Sequence, residues 1–144
     1  LRFFSVYGPF GRSDMAIYKF TDAIINQKPI YLSNEGNIYR DFTFIDDVVL
    51  AIKLVLFGAS DKVRDIYNIG SGKPIRVNDI VAKIENLVDK RAILKADRHY
   101  RENPMRTGSD SKYLKSDFDF NDFTTIDVGL RAFIEWYKNY HQID

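Results

Sequence analysis

A chain of 144 residues that is 45% apolar and 15% aromatic can bury a core of its own, which excludes a disordered segment and fits one domain. Its 21 basic and 20 acidic side chains nearly cancel, so no global field favours nucleic acid or an anionic membrane, and any anion site must be local. The absence of cysteine removes disulfides, thiol nucleophiles and thiolate metal sites. No run approaches the roughly 18 apolar residues of a membrane span and no signal-peptide pattern opens the chain, so a soluble, cytoplasmic protein is expected.

Residues 1–7 are rich in β-branched and aromatic types and end in Gly8-Pro9, predicting a buried strand that runs into a turn, as in a chain that starts in mid-fold. Ile17, Phe20, Ile24 and Gln27 follow at helical spacing, with Ser13 or Asp14 as N-cap and Pro29 as terminator. Residues 29–33 read as a strand closed by Asn34-Glu35-Gly36-Asn37. Arg40, Phe42 and Phe44 then share one face of a second extended segment, and the two segments suggest a strand pair. Val48, Ala51, Ile52 and Val55 trace a helix capped by Asp46 and ended by Gly58. Residues 65–69 predict a short strand, and Ile80 to Val88 a helix capped near Asn78. Residues 91–111 read as irregular, and a terminal helix starts near Thr125 with Leu130, Phe133, Ile134 and Tyr137 inward.

Several polar features have plain readings. The adjacent carboxylates Asp46-Asp47 at a helix start read as structural rather than as an acid/base pair. His99 and His141 stand in no metal-ligand spacing, so no metal site is expected. Gly70-Ser71-Gly72 lacks the glycine spacing and following Lys-Ser or Lys-Thr of a phosphate loop, and fits a strand-to-helix turn.

The opening run Leu-Arg-Phe-Phe-Ser-Val-Tyr-Gly-Pro-Phe-Gly-Arg-Ser-Asp-Met resembles the segment after the catalytic lysine in extended short-chain dehydrogenases of the NAD-dependent epimerase/dehydratase family, in the form found in UDP-glucuronate 4-epimerases. The resemblance continues in order through Tyr39-Arg-Asp-Phe-Thr-Phe-Ile-Asp-Asp-Val, Tyr67-Asn-Ile-Gly-Ser-Gly, Thr107-Gly-Ser-Asp and residues 125–137. It implies an α/β fold: the C-terminal, substrate-binding portion of such an enzyme, with one or two strands belonging to an absent Rossmann sheet. Residues 1–12 and parts of 60–75 would pack on the missing NAD-binding domain.

The resemblance also implies roles. Ser5 and Arg12 would hold a sugar carboxylate, a reading the planar Arg fork suits. The alternative keeps Ser5 facing the core and Arg12 as a solvated loop charge. Arg40 would meet the UDP diphosphate, against the alternative of a salt bridge to Asp41 or Asp46. Arg106 or Arg101 would supply a second diphosphate arginine. Met15 and Ala16 at a helix N-terminus, with Lys19 one turn on, are further phosphate candidates. Main-chain groups of Ile30 and Leu32 would meet uracil, and Phe3 and Val6 would touch the nicotinamide end of NAD. The partners implied are a UDP-sugar and a second copy of the intact enzyme. Neither the Gly-rich dinucleotide fingerprint nor Tyr-x-x-x-Lys occurs in the chain, so the resemblance implies that it does not turn over by itself. A neutral-hexose epimerase, a dehydratase or decarboxylase, and a non-catalytic binding module are the alternatives.

Overall fold

The fold is a mixed α/β arrangement, seen here in a computed structural model that describes residues 1–58, 64–97 and 104–143. The expected opening strand is two short strands, β1 (Arg2–Phe3) and β2 (Ser5–Tyr7), which separate at Phe4 because they pair with different partners. β2 runs parallel to β5 (Phe42–Phe44), with Ser5 opposite Phe42, and β1 runs parallel to β6 (Asn68–Ile69). Such parallel pairing needs a long crossover, here supplied by everything between residues 8 and 41.

Three helices follow the predicted apolar stripes: α1 (Ala16–Ile25), α2 (Ile45–Phe57) and α3 (Val77–Val88). The predicted caps do not cap them. The N-cap positions are Met15, Phe44 and Arg76, and none makes a side-chain cap hydrogen bond. The polar residues nearby are spent elsewhere. Asp14 pairs with Arg12, Asp47 accepts from the Thr124 backbone N–H and hydroxyl at 2.9 and 2.8 Å, and Asn78 donates to the Glu35 carbonyl. Asp47 is therefore structural, while Asp46 does not act as the predicted cap.

The predicted pairing of residues 29–33 with the Arg40 segment does not form. β3 (Pro29–Leu32) instead pairs in parallel with β8 (Ile93–Ala96), inside the stretch expected to be irregular. All four β8 residues are exposed, so the strand rests on backbone hydrogen bonding and shows no buried alternation for a sequence pattern to reveal. The Arg40 segment itself breaks at Asp41 into β4 (Tyr39–Arg40) and β5, and β4 pairs antiparallel with β7 (Ile75–Arg76). A seven-residue helix, α4 (Lys112–Phe118), also lies in sequence that carried no clear stripe. α5 (Ile126–His141) starts after Thr125 as expected.

The larger core lies where α1, α3 and α5 cover β2, β3 and β5, around Ile17, Ile24, Phe44, Ile80, Ile84, Leu130, Phe133 and Tyr137. A smaller core joins Val48 and Ala51 to Tyr67, Ile69, Leu114 and Phe120. Outside both cores, Val49, Leu50, Leu56 and Phe57 form an exposed apolar face of α2 by their seven-residue spacing, and Leu1 and Phe3 are about half exposed.

Gly129 sits inside α5 where the helix crosses Tyr7 and Phe44, and a Cβ there would fall on the Tyr7 hydroxyl and within 2.9 Å of the Phe44 ring. Alanine ordinarily stabilises a helix interior by about 1 kcal/mol over glycine. Here both aromatic rings are buried and the overpacking penalty is larger. Gly129→Ala is expected to destabilise by about 1–3 kcal/mol, read as a lower urea midpoint at unchanged m. A raised midpoint would mean that α5 does not approach β2 this closely.

Candidate functional site

A cavity of about 330 Å³ opens where β2, the loop after it, the start of α1, β3 and β4 converge, a size suited to a small-molecule ligand. β2 brings Ser5 and Val6, both half-buried, to one wall. Gly8 follows at φ 146°, with Ile45 and Phe44 packed where a Cβ would stand, so glycine lets the chain turn sharply over the opening. The turn delivers Arg12, Met15 and Ala16 to the rim, and β4 delivers Arg40 opposite the loop.

The charges decide what this cavity can hold. Arg12 and Arg40 line it, and among the described residues no carboxylate does. The N-terminus of α1 adds unsatisfied backbone N–H groups and the positive end of a ten-residue helix, with no side chain capping them. Tyr18, Tyr31, Ile38, Phe42 and Phe133 complete a largely apolar lining. Arg40, which has no carboxylate partner among the described residues, and the α1 N-terminus, in a partly apolar enclosure, favour an anionic ligand.

Arg40 is half-buried and pairs with neither Asp41 nor Asp46. Its Nη1 donates to the carbonyls of Tyr39 and Pro104, both at 2.7 Å, which fixes the guanidinium and leaves its Nε–Nη2 edge for a ligand. Arg12 is more exposed. Its Nε and Nη2 donate to the two carboxylate oxygens of Asp14 at 2.9 and 2.5 Å, and that hydrogen bonding holds the Asp14 carboxyl below the usual carboxylate range. One edge of the Arg12 fork is thus engaged from outside the cavity, since Asp14 does not line it.

Tyr7 also lines the cavity, but burial, with Asp47 and Asp127 adding, pushes its phenol well above the ordinary value. Its hydroxyl is buried with no hydrogen-bond partner among the described residues. A phenol so disposed does not exchange protons near neutral pH.

Of the residues predicted for a ligand site, Ser5, Val6, Arg12, Met15, Ala16, Leu32 and Arg40 come together around this cavity. Others stand elsewhere. Lys19 is exposed, Ile30 is buried in the core, and Phe3 is half exposed on β1. Arg106 bridges to Tyr39 in the sheet and lies with its guanidinium 5.2 Å from the Tyr39 ring centre, on the strand position that alternates with Arg40. Arg101 and His99 lie outside the described residues. Sequence reasoning missed Tyr18 and Tyr31 as lining residues. Tyr18 stands one turn after Met15 in α1, and that i, i+3 spacing could have found it.

A second hollow, of about 250 Å³, shares Val6, Gly8, Gly11, Arg12 and Met15 with the first and adds Pro9, Phe10 and Ile45. It can take the flat face of a small ring, but it offers no phosphate cradle. The Gly70–Gly72 turn offers none either, because its Ser71 hydroxyl and Gly72 N–H donate to the buried carboxylate of Asp41 and its Ser71 N–H to Thr43 Oγ1.

The fold is thus that of an α/β lobe whose arginine-lined hollow has the charge and size to suit an anionic small molecule. A family profile described as the NAD dependent epimerase/dehydratase family matches residues 1–70. A probable UDP-glucuronate 4-epimerase of Rhizobium meliloti is 34% identical over 98% of this chain and 47% of its own length. Among solved structures, MoeE5 in complex with UDP-glucuronic acid and NAD superposes with a TM-score of 0.86 at 31% identity, covering 96% of this chain and 46% of that one. A UDP-glucuronic acid 4-epimerase from Bacillus cereus, in complex with UDP-glucuronic acid and NAD, gives a TM-score of 0.89 at 26% identity over 96% of this chain and 44% of its own. The chain belongs to the NAD-dependent epimerase/dehydratase family and matches the C-terminal portion of its extended epimerases. It spans about half the length of the curated relatives it matches.

Proposed function

We propose that this chain is the substrate-binding portion of an NAD-dependent UDP-glucuronate 4-epimerase, with the diphosphate at Arg40 and the α1 N-terminus and the sugar carboxylate at Ser5 and Arg12. The observation that carries the reading is a cavity lined by Arg12, Arg40 and a helix N-terminus and, among the described residues, by no carboxylate, which suits a ligand with two separated anionic groups. Leu32 and Tyr31 lie on the wall formed by β3, a suitable place for a planar base.

In the whole enzyme NAD supplies reversible hydride acceptance at C4, so that the 4-keto sugar can turn over and be reduced from its other face. The residues of this chain bind and orient. Arg40 holds the part common to all UDP-sugars, Ser5 and Arg12 set which hexose is accepted, and Val6, on β2 between the two hollows, bounds the side from which a nicotinamide ring would approach. Proton transfer at O4 falls to a group outside this chain, since Tyr-x-x-x-Lys does not occur in it, and the chain by itself does not turn over. Residues 1–12 and parts of 60–75, of which 60–63 lie outside the described residues, pack on the NAD-binding part, a reading supported by the half-exposed Leu1 and, in β1, Phe3. The intact protein works as a cytoplasmic homodimer.

One observation favours a second reading within the same family. Asp14 already holds one edge of Arg12, and MoeE5 has also been solved with UDP-glucose, so a neutral UDP-hexose is the competing substrate. Two variants of the intact protein that carries this chain separate the possibilities. Arg40→Ala is expected to weaken UDP, UDP-glucose and UDP-glucuronate by a similar factor, about 1.5–3 kcal/mol by calorimetry, because all three share the diphosphate. A loss confined to one sugar would contradict that role. Arg12→Ala is expected to lower kcat/KM for UDP-glucuronate by about 2 kcal/mol of transition-state stabilisation while leaving any UDP-glucose activity nearly unchanged. Equal losses on both substrates would move the assignment to the neutral hexose.

A further inference from the structure

We propose that Asp41 is a positioning residue for nucleotide binding: its buried carboxylate fixes the loop whose Pro104 carbonyl holds the Arg40 guanidinium against the cavity. The inference rests on the assignment of Arg40 to the diphosphate and adds a residue that touches no ligand.

Asp41 is fully buried, and no cation pairs with it among the described residues. A carboxylate is costly to bury unless its oxygens accept hydrogen bonds, and here three donors from two other segments converge on it. The Ser71 hydroxyl donates to Oδ1 at 2.5 Å, while the backbone N–H groups of Gly72 and Ser109 donate to Oδ2 at 3.0 and 2.8 Å. Side-chain contacts reinforce the junction. Ser111 Oγ donates to the Gly70 carbonyl at 2.7 Å, and Ser109 and Ser111 hydroxyls lie 2.5 Å apart. Gly70 is required at this junction, since a Cβ there would lie 2.5 Å from Ser109 Cβ and 2.9 Å from Asp41 Oδ2.

The loop from Pro104 to Ser111 carries no helix or strand of its own. Its upstream end is zipped to β4, where Tyr39 N–H donates to the Met105 carbonyl and Thr107 N–H to the Tyr39 carbonyl at 2.8 and 3.1 Å. Its downstream end is tied through Ser109 to Asp41. The Pro104 carbonyl, next to the Met105 tie on its upstream side, accepts from Arg40 Nη1. Arg40, at the end of β4, and Asp41, at the break before β5, therefore do complementary work. Arg40 faces the cavity, and Asp41 on the opposite side anchors the segment that holds Arg40 still. An arginine not held this way would have to order its own side chain on binding, which weakens the contact.

A purely structural role would lower the folded fraction and leave the affinity of the folded molecules intact. The test is therefore the dissociation constant for UDP, measured by calorimetry on the intact protein that carries this chain, in a double-mutant cycle with Arg40→Ala. Asp41→Asn keeps the shape and can leave its amide oxygen to the N–H groups of Gly72 and Ser109, but it removes the charge that strengthens those bonds and turns the acceptor facing the Ser71 hydroxyl into a donor. It is expected to raise the UDP dissociation constant roughly five- to twentyfold in the wild-type background and less than about twofold when Arg40 is already alanine. An unchanged constant for Asp41→Asn, or an equal increase in both backgrounds, overturns the proposal. If Asp41→Asn does not fold, Ser71→Ala removes one donor and leaves the carboxylate in place; it is expected to raise the constant roughly two- to fivefold only when Arg40 is present. Failure of Arg40→Ala alone to weaken UDP would instead sink the diphosphate assignment, so the two ideas fail separately.

Discussion

The guanidinium of Arg40 is held from behind by two carbonyl oxygens and faces a cavity in which, among the described residues, no carboxylate answers its charge. That constraint organises the rest. An arginine placed this way must be fixed by the fold, because in solution it would seek water or a nearby acid. Here the nearest acid in sequence, Asp41, is turned to the other side of the strand and is saturated by Ser71, Gly72 and Ser109. The parallel pairing of β2 with β5 then sets Ser5 beside Phe42, and the Gly8 turn carries Arg12 and the start of α1 to the same opening. The result is one anion-seeking hollow in a chain whose total charge is almost nil.

Helices were the legible part of the fold because their burial repeats within a few residues. Ile17, Phe20 and Ile24 in α1, or Leu130, Phe133 and Tyr137 in α5, announce an apolar stripe with no knowledge of what covers it. Caps were less legible for a physical reason. A serine or aspartate near a helix start has other uses in three dimensions, as Asp14 does with Arg12 and Asp47 with Thr124, 77 residues away. Strand partners were not legible. The β3–β8 pairing joins residues more than sixty apart through backbone groups, and β8 keeps all its side chains exposed.

The site follows the same division. The ordered motifs marked Ser5, Arg12 and Arg40, and the structure brings them to one cavity. Two candidates stand apart from the cavity: Ile30 shares the buried face of β3 with Leu32 but lies in the core beyond the cavity wall, and Arg106 stacks on Tyr39, whose side chain alternates with that of Arg40. The Gly70-Ser71-Gly72 turn was read as non-phosphate from its spacing, and the geometry supplies the cause: an internal carboxylate already takes its Ser71 hydroxyl and Gly72 N–H. No local pattern could have shown that, since Asp41 stands 30 residues from Ser71 and 68 from Ser109.

The most direct test of the central claim is the product itself. The intact protein that carries this chain, incubated with NAD and UDP-glucuronate, should convert it to the C4 epimer, seen by proton NMR as a new anomeric signal and a changed H4 coupling, and the same mixture should be reached from the epimer. Interconversion of UDP-glucose and its C4 epimer with UDP-glucuronate left unchanged would contradict the account, because the cavity would then be gripping the shared diphosphate without reading the sugar carboxylate.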